Sequence, residues 1–409
     1  MKSINLPVAG GTLSAYTIKN APLATPPALS DRPAVAGRAT SPARGEGKNQ
    51  RIAFAAAHVV ANPLADNDPW LDTAVDWERT IAFRHYLWDL GFGVAEAMDT
   101  AQRGMGLDWS GAKELIRRSL EAAKSRPDFG AGGALIASGA GTEQIDLMGP
   151  VTIDQVIRAY EEQIETIEGM GGRIILMASR ALVKAAKGPD DYARVYDRIL
   201  SQVKEPVIIH WLGEMFDPAL AGYWGSADHM AAMATAIDVV GAHPEKVDGV
   251  KISLLSKEKE ISMRRRLAQG VKMYTGDDFN YPELIAGDEQ GYSDALLGIF
   301  DAIAPAAAVA LRQLADGDKG AFHETLAPTV PLSRHIFKAP TRFYKTGVVF
   351  LAYLNGLQDH FHMIGGQQST RSLVHLAELF RLADEARCLR DPELATKRMK
   401  QVLAVGGVH

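Results

Sequence analysis

The sequence predicts an α/β chain built on a (β/α)8 TIM barrel, with an N-terminal hairpin and arm and a C-terminal helical extension. Three observations carry this. From residue 51 onward, short apolar runs alternate with longer amphipathic stretches. The runs lack polar alternation, which marks strands buried on both faces, as in parallel sheets. No Gly-rich dinucleotide fingerprint follows the first run, so eight strand–helix units favour a closed barrel over a doubly wound sheet.

Residues 1–50 stand apart. Segments 4–8 and 12–19 read as two short strands around Gly10-Gly11, a hairpin turn. Residues 21–50, rich in Pro, Ala, Ser, Arg and Gly, read as an extended arm, with a disordered tail as the alternative. The barrel occupies 51–330. Its strands are expected at 52–60, 93–98, 133–138, 173–178, 206–211, 249–253, 271–275 and 291–293. Helical patterns intervene at 76–90, 110–125, 153–169 and 190–203. Residues 331–409 are expected to form helices at 342–357, 370–385 and 392–403, packed on the barrel.

Composition narrows the function. Of 409 residues, 47% are hydrophobic and 23% charged, which suits a globular chain and excludes wholesale disorder. The net charge of −5 provides no basic field, and Arg264-Arg265-Arg266 is too short a run to supply one, so no nucleic-acid partner is expected. Cys388 is the single cysteine, which excludes an internal disulfide and a multi-cysteine metal site. The first residues lack the apolar core of a secretory signal, and apolar runs such as 347–357 stop short of a membrane span. A cytoplasmic chain is expected, without membrane association. Barrels commonly bury outer helices in symmetric contacts, so a homo-oligomer is expected. Lys257-Glu258-Lys259-Glu260 reads as a solvated helix face, and Trp77 and Trp88 as core.

In a barrel the strand C-termini converge on one face, and polar residues there are the site candidates. Read in order, they are His58; Glu96, Asp99, Thr100 and Gln102; Ser138 and Glu143; Arg180; His210 and Trp211; Lys251 and Ser253; and Asp277. Lys251 is the sharpest. Burying an ammonium in the apolar strand Val250-Lys251-Ile252 disfavours the charged form and leaves an amine able to attack a carbonyl; pairing with a nearby carboxylate is the structural alternative. A second constellation is metal-binding. His58, Glu96, Asp99, Glu143 and His210 form a mixed His/carboxylate set of the kind that holds Mn, Zn or Mg. Asp359-His360-Phe361-His362 lies outside the barrel pattern and reads as a helix-end pair.

Here the sequence resembles a family. Gly249-Val250-Lys251-Ile252-Ser253 is similar to the lysine segment of the dihydrodipicolinate synthase / N-acetylneuraminate lyase superfamily. Met273-Tyr274-Thr275-Gly276-Asp277-Asp278 resembles that family's Gly-Asp-Asp turn, and Pro206 to His210 falls in the register of its fifth strand. The resemblance implies a Schiff-base lysine at Lys251 and a proton relay at His210, where the family has tyrosine. Met98-Asp99-Thr100-Ala101-Gln102 departs from the family's Gly-Thr-Thr-Gly-Glu loop, and Ser179-Arg180 replaces a Tyr-Tyr pair. A carboxylate at Asp99 would oppose the carboxylate of a 2-oxo acid. Trp211 stacks on a sugar ring or floors the barrel.

The expected activity is therefore that of a lyase or aldolase acting on a small hydroxyl-rich carbonyl compound, without a cofactor. Lys251 and His210 are catalytic in this reading. Asp99, Thr100, Gln102, Ser138, Glu143, Arg180, Trp211, Ser253 and Asp277 bind substrate. The alternatives are a divalent-metal sugar isomerase, epimerase or aldolase on the same barrel, and a non-catalytic binding or assembly barrel.

Overall fold

The computed structural model describes residues 3–24, 49–129 and 133–408. The arm expected over 21–50 lies outside these, apart from its two ends. An antiparallel hairpin, β1 (Ser3–Val8) and β2 (Thr12–Thr17), opens the chain. Eight strands then follow: β3 (Ala53–Ala56), β4 (Gly93–Glu96), β5 (Ile136–Ala140), β6 (Arg173–Leu176), β7 (Val207–Leu212), β8 (Val247–Ser253), β9 (Lys272–Thr275) and β10 (Asp294–Leu297). All pair in parallel, and β10 returns to β3, so the sheet closes into a barrel.

The surrounding helices are α1 (Trp77–Asp89), α2 (Trp109–Ser125), α3 (Ile153–Gly169), α4 (Arg180–Ala185), α5 (Pro189–Leu200), α6 (His229–Ala242), α7 (Lys257–Arg264), α8 (Tyr281–Ala286), α9 (Ile299–Ala302) and α10 (Ala304–Ala315). Their ends are written in the sequence. Asp76, Asp108 and Asp228 accept N–H groups of the first turns of α1, α2 and α6, and Thr152 with Gln155 closes a capping box on α3. Five further helices follow: α11 (Lys319–Leu326), α12 (Thr329–Ile336), α13 (Tyr344–Leu354), α14 (Leu373–Glu385) and α15 (Pro392–Val405), the last three within the extension. None among the described residues is long and apolar enough to cross a membrane.

Strand alternation divides the core in two. Phe54, Ala95, Ala137, Ile175, Ile208, Tyr274 and Leu296 turn inward and fill the barrel. Their strand neighbours, among them Ala55, Val94, Ile136, Ile209 and Val250, turn outward against the helices. The apolar run over 347–357 finds its place in α13, every residue of which is buried. The hairpin is fastened to the far end of the chain. Tyr16 donates its hydroxyl proton to Asp384 at 2.6 Å, and the N–H groups of Lys19 and Asn20 donate to the same carboxylate.

Four sequence expectations shift. The first strand is shorter than 52–60, and the third starts at Ile136 rather than 133. The eighth strand is Asp294–Leu297 and not 291–293. There Gly291 bridges back to Asp288 and Tyr292 stacks beneath Arg51, while Asp294 accepts the N–H of Ile52 and so begins the ladder. Finally, Lys257-Glu258-Lys259-Glu260 is not a uniformly solvated face. Glu260 is 1% exposed and accepts hydrogen bonds from Thr275 and Ser293 at 2.9 and 2.7 Å.

Burial pushes the Glu260 carboxyl up to about 8. An unfolded glutamate titrates near 4.3, so the native state holds the extra proton. This stabilisation is therefore complete below about pH 4 and lost as pH rises through about 8. Glu260→Gln, neutral throughout, should flatten that part of the pH dependence. Urea denaturation across about pH 5 to about 8.5 measures it; an unchanged slope rejects the assignment.

Candidate active site

β8 alternates cleanly. Val250 and Ile252 pack outward, so Lys251 and Ser253 face the barrel axis at its C-terminal mouth. On β7, Ile209 and Trp211 pack outward, so His210 faces inward, with Nε2 3.2 Å from Ser253 Oγ. Gly276, just past β9, makes room for the lysine. A Cβ there would lie 2.8 Å from Lys251 Cε and 2.3 Å from Ser253 Oγ. The glycine of the Gly-Asp-Asp turn is thus a steric requirement of the buried amine.

Electrostatics follow from this enclosure. Burial lowers the Lys251 pKa below the ordinary lysine range, while Asp278 and Asp99 oppose the shift. Burial raises Asp278 well above the usual carboxylate range, against the N–H of Ile299, which its Oδ1 accepts at 2.9 Å. His210 is held far below its ordinary value by burial first and the Lys251 charge second, so its imidazole is neutral at physiological pH. Its Nδ1 meets no protein partner among the described residues.

The extension completes the mouth. Lys345, on the first turn of α13, places Nζ 3.1 Å from Asp99 Oδ1, and its side chain is 2% exposed. The neighbouring Tyr344 hydroxyl lies 2.8 Å from Thr100 Oγ1. Asp99 Oδ2 is buried and accepts from no protein group among the described residues. The loop carrying Asp99 and Thr100 is flanked by Ala97 and Gln102, both in left-handed backbone at φ 50° and 66°. Gln102 Nε2 donates to the carbonyls of Met105 and Ile364, tying this loop to the extension.

The other candidates are placed elsewhere. Glu96 faces the helices, locked to Arg84 by two 2.8 Å hydrogen bonds in a fully buried ion pair. The His58 Nδ1 lies 2.8 Å from Asp301, with its ring against Phe83 of α1. Glu143 pairs with Arg103, which also donates to the carbonyls of Ala97 and Gly139. Ser138 follows the inward Ala137 and so turns outward. Trp211 packs edge-on to Trp224, away from the axis. Asp277 spends both oxygens on Phe279 and Asn280 within its own turn. Arg180 pairs with Asp217 and is 41% exposed. Asp359 of the Asp-His-Phe-His segment pairs with Arg79 and Arg398, apart from the Lys251 cluster. Burial pushes the Cys388 thiol up to about 12, leaving it unreactive. Among the described residues, no three His, Cys, Asp or Glu side chains gather as a metal-ligand set.

Three members of the cluster escaped the sequence reading. Asp278 was available in Gly276-Asp277-Asp278, where only the first aspartate was singled out. Tyr344 and Lys345 carried no signal, because α13 reads as an ordinary amphipathic helix far along the chain.

A closed parallel barrel with an inward lysine at its C-terminal mouth defines the class, and solved structures share the fold. A putative dihydrodipicolinate synthetase from Pseudomonas aeruginosa aligns with a TM-score of 0.61 at 15% identity, covering 82% of this chain and 99% of that one. YagE, a prophage protein of the dihydrodipicolinic acid synthase family from E. coli K12 in complex with pyruvate, gives 0.60 at 12%, covering 88% and 99%. Dihydrodipicolinate synthase from Aquifex aeolicus gives 0.58 at 12%, covering 88% and 98%. No curated protein matches the sequence. The family model described as protein of unknown function, DUF993, matches residues 6–408. The chain belongs to the DUF993 family.

The Glu96–Arg84 pair separates scaffold from chemistry. Arg84→Met leaves a buried carboxylate uncompensated, and should destabilise the fold by about 3–5 kcal/mol. Chemical denaturation measures this. A loss under about 1 kcal/mol would show that the pair does not carry the α1–β4 contact.

Proposed function

We propose that this chain is a Schiff-base lyase of the aldolase type, acting on a small hydroxyl-rich carbonyl compound. The observation that carries the reading is the inward placing and enclosure of Lys251 at the barrel mouth, where Gly276 makes room for it and burial favours the neutral amine against the opposing charge of Asp278. The shared fold with dihydrodipicolinate synthases supports it.

In this reading Asp278 takes a proton from the Lys251 ammonium. The freed lone pair adds to the substrate carbonyl carbon, and loss of water gives an iminium. Neutral His210 then removes the proton from a hydroxyl on the carbon beta to the iminium carbon. As that oxygen becomes a carbonyl, the carbon–carbon bond breaks and its electron pair moves toward the iminium nitrogen, leaving an enamine.

The preference for hydroxyls rests on the mouth's unmet hydrogen-bonding capacity. Repulsion from Asp99, expected from the sequence, is offset by Lys345 on its other oxygen. Asp99 Oδ2 still asks for a donor, which a hydroxyl supplies and a carboxylate does not. His210 Nδ1 can accept or donate according to its tautomer.

Borohydride trapping tests the reading. With dihydroxyacetone, reduction should leave a stable secondary amine on the peptide containing Lys251, and pyruvate should label it less. Labelling rate should rise with pH and level off below the range near 10.4 where an exposed lysine titrates. Lys251→Arg should abolish the adduct, since guanidinium cannot form the imine. His210→Phe should still form it while carbon–carbon cleavage slows by about 10²–10⁴-fold. Activity that survives Lys251→Ala, or that vanishes on chelation and returns with Mn or Zn, overturns the proposal.

A further inference from the structure

Most of the polar groups at the mouth come from barrel strands and their loops; Tyr344 and Lys345 come from the extension. Tyr344 sits at the start of α13, 3% exposed. Its ring stacks on Phe337 at 4.3 Å and 15°, and meets Phe216 edge-on at 6.1 Å. It also lies over the end of β10: a Cβ on Gly298 would be 3.1 Å from both Tyr344 Cε2 and Phe337 Cζ. β9 and β10 are neighbours in parallel register, so Gly276 and Gly298 follow adjoining strand ends, the first packed against Lys251 and the second beneath Tyr344. The charges of Asp99 and Asp278 act on Tyr344 and Lys251 alike.

Resting on the Schiff-base reading above, we propose that Tyr344 of the C-terminal extension is a catalytic residue of iminium formation, passing a proton between the attacking nitrogen and the departing oxygen. The balance needs no outside reagent. An ammonium and a ketone give an iminium and water, so the two protons that leave nitrogen are the two the oxygen requires. As the lone pair of Lys251 forms the carbon–nitrogen bond, the carbonyl π pair moves to oxygen, which takes the Tyr344 proton. The tyrosine recovers a proton from the nitrogen. A second transfer to the hydroxyl, supplied through Asp278 from the proton first taken from Lys251, lets water leave as the carbon–nitrogen double bond forms.

Two features suit the hydroxyl to this task. Burial and the two carboxylates hold its pKa far above 10, so it rests protonated and acts as a donor. Thr100 Oγ1 fixes its direction at 2.8 Å, and Lys345, bonded to the Arg342 carbonyl at 3.1 Å and paired with Asp99, pins the first turn of the helix. Lys345 is a positioning residue in this scheme.

The test is the rate of adduct formation on the full chain, with dihydroxyacetone as probe and borohydride quench at timed intervals. Tyr344→Phe keeps the ring and its stacking, and should slow adduct formation by about 10²–10⁴-fold. Its yield after long incubation should equal that of the wild type, because a lost proton shuttle changes rate and not equilibrium. Thr100→Val, which keeps the donor and removes its guide, should slow the step less. A Tyr344→Phe rate within about threefold of wild type overturns the proposal, as does a lowered final yield, which marks a purely structural role. A wild-type chain that gives no adduct on Lys251 fails at the Schiff base itself, and this proposal falls with it.

Discussion

Enclosing a primary amine in a ring of apolar strands is the constraint around which the rest of the chain is arranged. Lys251 shares the barrel axis with His210 above a plug of Phe54, Ile175, Ile208, Tyr274 and Leu296. Leaving a full charge there unpaired would cost several kcal/mol. The surroundings respond to it. Gly276 gives up a side chain to admit the amine; the charges of Asp278 and Asp99 act on it against the effect of burial; Lys345 balances Asp99. Two cations and two carboxylates thus close the mouth with little net charge.

The same strand ends carry a second polar system that faces the opposite way. Arg84–Glu96, His58–Asp301 and Arg103–Glu143 fasten helices and loops to the barrel rim. The two arginines satisfy backbone carbonyls as well: Arg84 donates to His58, and Arg103 to Ala97 and Gly139. Loops that leave a barrel strand expose such carbonyls at the rim, and a guanidinium with five donors is the economical way to bind several at once.

This double use explains what could be read in advance. The barrel was legible because buried parallel strands are apolar without alternation, and α3 was placed at its true limits by its helical pattern, with Thr152 and Gln155 capping its start. Lys251 was legible because a lysine inside such a strand is physically expensive. Glu96 and Ser138 were not separable from site residues, because inward and outward positions differ by one residue and strands of four or five leave no margin for error. The eighth strand was misplaced for a related reason: Tyr292-Ser293 has strand-like composition, but Gly291 turns the chain there. Tyr344 was beyond reach, since nothing local in α13 says that its first turn meets a loop 244 residues earlier.

The Tyr16–Asp384 contact spans 368 positions and joins the hairpin to α14. The hairpin therefore precedes the helix it docks on by the whole length of the barrel. Lys251 is synthesised well before the residues that roof it. Until those residues fold over the mouth, the amine lacks the enclosure that lowers its pKa, and an ordinary protonated lysine is a poor nucleophile. Closing the mouth thus draws on residues well beyond the barrel strands, so the environment of the amine is complete only once the extension has docked.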